Sequence, residues 1–101
     1  MEKQFTDFNG FYFFYLSEHK NKICRRLHFA GTSFVILIAI YFLFTLDWVL
    51  LILLPVFGYG FAWVGHFVFE KNRPATFQYP LFSLRGDFVM FKDILIGKIK
   101  F

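Results

Sequence analysis

Residues 29–46 contain no Asp, Glu, Lys or Arg, and neither do residues 48–69, so two long apolar runs meet at a single acidic position, Asp47. A helix of about 20 apolar residues, rising about 1.5 Å per residue, crosses a hydrocarbon core of roughly 30 Å. The pattern therefore predicts transmembrane helices over 27–46 and 48–69, folded back on each other at the aspartate. Ahead of them, Phe5, Phe8, Tyr12, Tyr15 and Leu16 recur at helical spacing among Asp7, Asn9 and Gly10, which predicts an interfacial helix over 4–18. After Pro80, the series Leu81, Leu84, Phe88, Phe91, Leu95 predicts a second interfacial helix over 80–96, with Arg85, Asp87, Lys92 and Asp93 elsewhere around it. The expected fold class is all-α: an integral membrane helical hairpin of two transmembrane helices flanked by two amphipathic interfacial helices, forming one membrane domain over 1–101.

Interruptions of the pattern refine this picture. Residues 18–26 are polar, and Asn21 between lysines predicts a bend. Gly31, Thr32 and Ser33 near the start of the first span permit close helix approach, as do Gly58, Gly60 and Gly65 in the second, where Pro55 predicts a kink. Pro74 and Pro80 prevent continuous helix after Glu70.

Composition agrees with a membrane chain: 57% of residues are hydrophobic, against roughly 45–50% in soluble domains. All 11 Lys and Arg lie outside 27–70. With an acidic turn at one end of the hairpin and the cations at the other, both termini and the histidine end are expected on the cytoplasmic side. The net charge of +4 then expresses topology and contact with anionic lipid, not nucleic-acid binding. The lone Cys24 excludes an internal disulfide, and residues 1–26 lack the apolar core of a removable signal peptide. No glycine-rich phosphate loop, paired-cysteine motif or nucleophile elbow is present.

His28 and His66 each lie 19 positions from Asp47. A hairpin folded there places both imidazoles roughly 28 Å from the turn, side by side, with His19 just outside the same end. Positions nine apart on one unbroken helix face opposite sides, so His19 and His28 can share an ion only if the helix breaks between them. Three gathered imidazoles suit zinc or non-haem Fe(II), with Glu70, Asn21 and Asn72 near enough to fix their tautomers. Cys24 beside Arg25 and Arg26 is expected to be an ordinary thiol rather than a nucleophile. Trp48 and Trp63 are expected as interface anchors.

The stretches Tyr15-Leu-Ser-Glu-His-Lys-Asn21, Arg25-Arg-Leu-His28-Phe-Ala-Gly31-Thr, Gly58-Tyr-Gly60, Gly65-His66 and Glu70-Lys-Asn-Arg-Pro74-Ala75 resemble the family that includes the fungal endoplasmic-reticulum 2-hydroxy fatty acid dioxygenase. The resemblance spans roughly residues 15 to 95. It implies Fe(II)-dependent oxidative decarboxylation of a long-chain 2-hydroxy fatty acid by O2, giving the acid one carbon shorter. It also implies His19, His28 and His66 as the iron ligands, with Asn21 and Glu70 as polar companions. On that hypothesis Arg25, Arg26 or Arg73 holds the substrate carboxylate, the alkyl tail enters membrane lipid, and two thin spans leave room for a homo-oligomer. Ala62 stands where fungal relatives commonly carry glutamine, which brings the chain closer to short bacterial relatives and implies a bacterial inner membrane rather than the endoplasmic reticulum. Two rival readings are a non-enzymatic membrane module that binds lipid or protein, and a zinc-dependent lipid hydrolase.

Overall fold

The computed structural model describes residues 5–101, which are helical with no strand. The first helix, α1, spans Phe8–Ser17. The predicted start at residue 4 lies outside the described residues. The helix opens at Phe8 because the Asp7 carboxylate accepts the Gly10 N–H at 3.1 Å, a side-chain cap for an otherwise orphaned donor. It stops before His19, and α2 then spans Lys22–Thr45. Asn21 caps this second helix, its side-chain oxygen accepting from the N–H groups of Ile23 at 2.8 Å and Cys24 at 3.2 Å. The cap starts α2 ahead of the apolar run and supplies the break between His19 and His28 that a shared site requires.

Leu46, in a left-handed conformation with φ of 53°, ends α2 and donates its N–H to Phe42 at 2.7 Å. The third helix, α3, spans Val49–Val64, continues through Pro55, and widens into π-helical winding over Gly65–Glu70. Lys71, with φ of 58°, terminates it. A short 3-10 turn at Ala75–Phe77 leads into α4, Pro80–Leu95, whose leading proline needs no N–H partner at a helix start.

The α2–α3 hairpin closes over small residues. A Cβ on Gly31 would lie 3.0 Å from Phe61 Cβ and 3.1 Å from the Phe57 carbonyl, so glycine allows this approach. Both arms are long and apolar enough to cross a membrane, and only 17% of either apolar window is enclosed by protein. Neither arm is mostly buried within the chain, as the core helix of a soluble bundle is.

Burial concentrates at the other end, where α1 packs on α4. Phe11, Tyr15, Tyr79 and Met90 form the centre of an aromatic core, with Phe11 ring centroids 5.3 Å from Tyr79 and 5.4 Å from Phe82. Phe11 falls outside the predicted stripe of α1, yet it is wholly buried. On α4 the ends of the predicted apolar stripe face outward, with Leu81 79% and Leu95 62% exposed, while Phe91 stacks on Phe29 at 4.7 Å. The inward face instead carries Ser83, Gly86, Met90, Asp93 and Ile94. Tyrosine hydroxyls account for the inversion: Tyr12 donates to Asp93 Oδ2 at 2.8 Å, and Tyr15 donates to Asp87 Oδ1. Asp93 pairs in addition with the exposed Lys92 ammonium at 3.6 Å through Oδ1. Gly86 lets Tyr15 in, since a Cβ there would meet its ring at 3.0 Å.

Candidate metal centre

His19 follows α1, His28 sits in the second turn of α2, and His66 lies in the π-helical segment. The three imidazoles nevertheless form one buried cluster, with ring centroids 4.4, 4.5 and 4.8 Å apart and ring planes within 12° of perpendicular. Sequence symmetry about Asp47 supplies two of them, and the Asn21 break supplies the third.

The hydrogen bonds on the outer ring nitrogens decide what the cluster can do. His19 Nδ1–H donates to the Tyr15 carbonyl at 2.6 Å, and His28 Nδ1–H donates to the Cys24 carbonyl at 2.9 Å. His66 Nδ1 meets Asn72 Oδ1 at 2.8 Å. The Asn72 amide can face only this way, because its Nδ2 donates to Glu18 O at 3.2 Å and Glu18 Oε2 at 3.0 Å. All three outer nitrogens thus carry the proton, and all three Nε2 atoms keep a lone pair.

His19 Nε2 and His28 Nε2 lie 3.1 Å apart. Two lone pairs at that distance repel unless a cation lies between them. A proton is a poor candidate, because burial and then the neighbouring His28 and His66 hold His19 well below the ordinary histidine pKa. A metal ion fits: 3.1 Å is the separation of two nitrogens bound to one ion at about 2.0–2.1 Å and near a right angle.

Cys24 belongs to the same buried group, whose ligand atoms all fall within 4.8 Å of one another. Its sulfur lies 3.7 Å from His28 Nδ1, the outer nitrogen, and so flanks the ring. Gly65 makes this contact possible, since a Cβ there would come within 2.9 Å of the sulfur and 3.2 Å of Cys24 Cα. Glu70 and Asn21 do a different job: the Asn21 N–H donates to the Glu70 carboxylate, and Asn21 Nδ2 reaches the Phe69 carbonyl at 3.5 Å. They tie the end of the π segment to the start of α2, which holds His66 against His28.

A cavity of about 20 Å³ lies against the three histidines, with Tyr59, Ala62, Ser83 and Asp87 also on its wall. It has the size of one small ion or water. A groove of about 230 Å³ runs from His28 between α2, α3 and α4 along Thr32, Val35, Leu54, Pro55 and Phe88. His28, Tyr59 and Asp87 border both spaces. Burial pushes the Asp87 carboxyl up to about 7, with the Tyr15 hydrogen bond acting in the opposite direction. Tyr15, Ser83 and Asp87 escaped the sequence reading; the one available signal was the i, i+4 spacing of Ser83 and Asp87 on a helix.

The structure brings none of the three arginines to the wall of the histidine cavity. Arg25 donates to the carbonyls of His19 at 3.0 Å, Lys20 at 2.7 Å and Lys100 at 3.1 Å, so it clamps the bend between α1 and α2. Arg26 lies over the Phe101 ring at 5.0 Å, and Arg73 lies over Phe77 at 5.3 Å.

A family model described as 2-hydroxy-palmitic acid dioxygenase Mpo1-like matches residues 5–99. No curated protein and no solved structure matches the chain.

Proposed function

Because the chain belongs to the 2-hydroxy-palmitic acid dioxygenase Mpo1-like family, we propose that it is an Fe(II)-dependent membrane enzyme that oxidatively decarboxylates long-chain 2-hydroxy fatty acids. The overall change consumes one O2 and releases the acid one carbon shorter, CO2 and water. The four electrons come from the substrate, so no flavin or nicotinamide partner is required. The observation that carries the reading is the set of three buried imidazoles whose outer nitrogens are all protonated toward fixed acceptors.

His19, His28 and His66 would hold the iron through Nε2, and ferrous iron, when bound, supplies open positions for O2 and for the substrate carboxylate. Tyr15 O, Cys24 O and Asn72 Oδ1 hold the three rings in the ligating tautomer before any ion arrives. The groove beside Val35, Leu54 and Phe88 receives the proximal part of the alkyl tail, and the remainder continues along the exposed apolar flank into lipid. Enclosure of the histidines keeps bulk water from the reacting end. Cations gathered at the histidine end and Asp47 at the far turn support a site at the cytoplasmic face.

The test is elemental analysis of purified protein followed by oxygen uptake with 2-hydroxyhexadecanoate. About one iron per chain is expected, with CO2 and the 15-carbon acid formed in equal amounts, and His28→Ala should lose both metal and uptake. Iron-loaded protein that consumes no O2 with this acid overturns the oxygenase. Stoichiometric zinc with hydrolysis of a lipid ester would establish the hydrolase instead, and metal-free protein would establish the non-enzymatic module.

A further inference from the structure

A fatty acid whose head meets the histidines and whose tail lies in the groove must pass the boundary between the two spaces. The 20 Å³ cavity has room for no more than a single ion, so the carboxyl group meets that ion from the groove side and the carbon next to it sits at that boundary. Three residues border both spaces: His28, Tyr59 and Asp87. His28 is committed to the metal cluster. Asp87 is different, because the Tyr15 hydroxyl holds its Oδ1 and leaves Oδ2 as a second acceptor at the boundary. Ser83, one helical turn earlier on the same face of α4, adds an independent sign of a polar occupant. Its hydroxyl is buried on the wall of the histidine cavity with no hydrogen-bond partner, and such groups in native structures are completed by a ligand or water.

We infer that Asp87 is the specificity residue for the 2-hydroxyl group: its Oδ2 accepts the hydroxyl proton in a hydrogen bond at the junction of cavity and groove, and so distinguishes a 2-hydroxy acid from the plain acid of equal length. The inference rests on the function proposed above. Tyr15 is a positioning residue in this arrangement, since its hydroxyl and the space left by Gly86 fix the carboxylate. A site that pairs with a substrate hydroxyl discriminates strongly, because the analogue without it leaves a buried acceptor unpaired.

Equilibrium binding of 2-hydroxyhexadecanoate and of hexadecanoate to the iron-loaded protein, measured without O2 and above about pH 8 so that the Asp87 carboxyl is ionised and can accept, tests this without turnover. Wild type should prefer the hydroxy acid by roughly 10–100-fold. Asp87→Ala should bring the two affinities together, because the hydroxy acid loses its acceptor and hexadecanoate no longer leaves one unpaired. Asp87→Asn guards against a folding defect: its amide oxygen can keep the Tyr15 bond, which turns the non-accepting amide nitrogen toward the ligand, so the preference should fall as in alanine. Both variants should retain wild-type iron content. A preference that survives in either variant overturns the inference and leaves the proposed function standing, as does loss of iron in Asp87→Asn, which would make Asp87 a metal-binding group. A wild-type protein with no preference at all overturns both together.

Discussion

The two ends of this molecule obey opposite rules of burial. At the Asp47 end the hairpin turns outward: Phe44 beside the turn is 84% exposed, and the arms meet mainly each other. At the histidine end the buried set includes His19, His28, His66, Ser83 and Asp93, while Leu81 and Leu95 of α4 point out. An apolar exterior around an interior that holds histidines and carboxylates beside its aromatic core is what lipid as solvent permits, since apolar side chains gain nothing by turning inward from a hydrocarbon phase. The far end therefore needs only length and hydrophobicity. The histidine end needs partners, and each inward polar group there is placed by a particular bond.

The contrast can be attacked first through Asp87, where burial of a carboxyl has the largest energetic consequence. Its folded pKa, up at about 7 through burial, lies above the ordinary value of 3.8. Below pH 3.8 the carboxyl is protonated in both states and its contribution to stability is fully present. As pH rises, the unfolded chain loses this proton first, so stability falls until about pH 7 and is then level. The ceiling on the loss is about 4 kcal/mol. Asp87→Asn cannot ionise and should escape it. Unfolding in detergent with a chelator present should show the variant gaining on wild type between pH 4 and pH 7, with little difference near pH 3.5. A constant difference across that range would mean that Asp87 is not held protonated by burial. The same substitution is expected to weaken the preference for the hydroxy acid, a trade of stability against function at one position.

The lipid half of the contrast is exposed to a second substitution. Leu37 lies near the middle of the first apolar run and is 62% exposed. If the outer face meets hydrocarbon, Leu37→Lys costs roughly 2.5–3.5 kcal/mol in membrane insertion, read as a lower membrane-integrated fraction in an insertion assay. If that face met water, the lysine would be harmless and would improve solubility. An integrated fraction equal to wild type would break the comparison at this end.

The same contrast explains what could be anticipated from the amino-acid pattern. The two arms were legible because a membrane span depends on local length and lack of charge, and both properties are written continuously in residues 27–69. The approach of His28 to His66 was legible as symmetry about Asp47, and the break before α2 as the rotation that His19 and His28 would otherwise suffer. The π winding at Gly65–Glu70 was not, because it changes the hydrogen-bond register without altering the apolar pattern. Nor were Tyr15 and Asp87, which are 72 positions apart and meet only once α1 lies on α4. The outward stripe of α4 was visible, but its companion face looked like a solvated one until the tyrosines supplied its carboxylates with donors.

Asn72 offers the finest test of the idea that the histidine end is built from partners. It touches no candidate metal atom, yet its amide fixes the His66 tautomer at 2.8 Å and ties that ring to Glu18, immediately before His19. Asn72→Ala should lower metal affinity about 10–100-fold, the range seen when an outer hydrogen bond to a metal-binding histidine is lost. This corresponds to roughly 1.4–2.7 kcal/mol. Asn72→Asp should recover part of the affinity, because a carboxylate accepts from Nδ1–H while its other oxygen repels the Glu18 carboxylate that Asn72 Nδ2 meets at 3.0 Å. Chelator competition followed by metal analysis separates the cases. Equal loss in the alanine and aspartate variants would show that the tie to Glu18 matters more than the tautomer, and no loss in either would remove Asn72 from the design of the site.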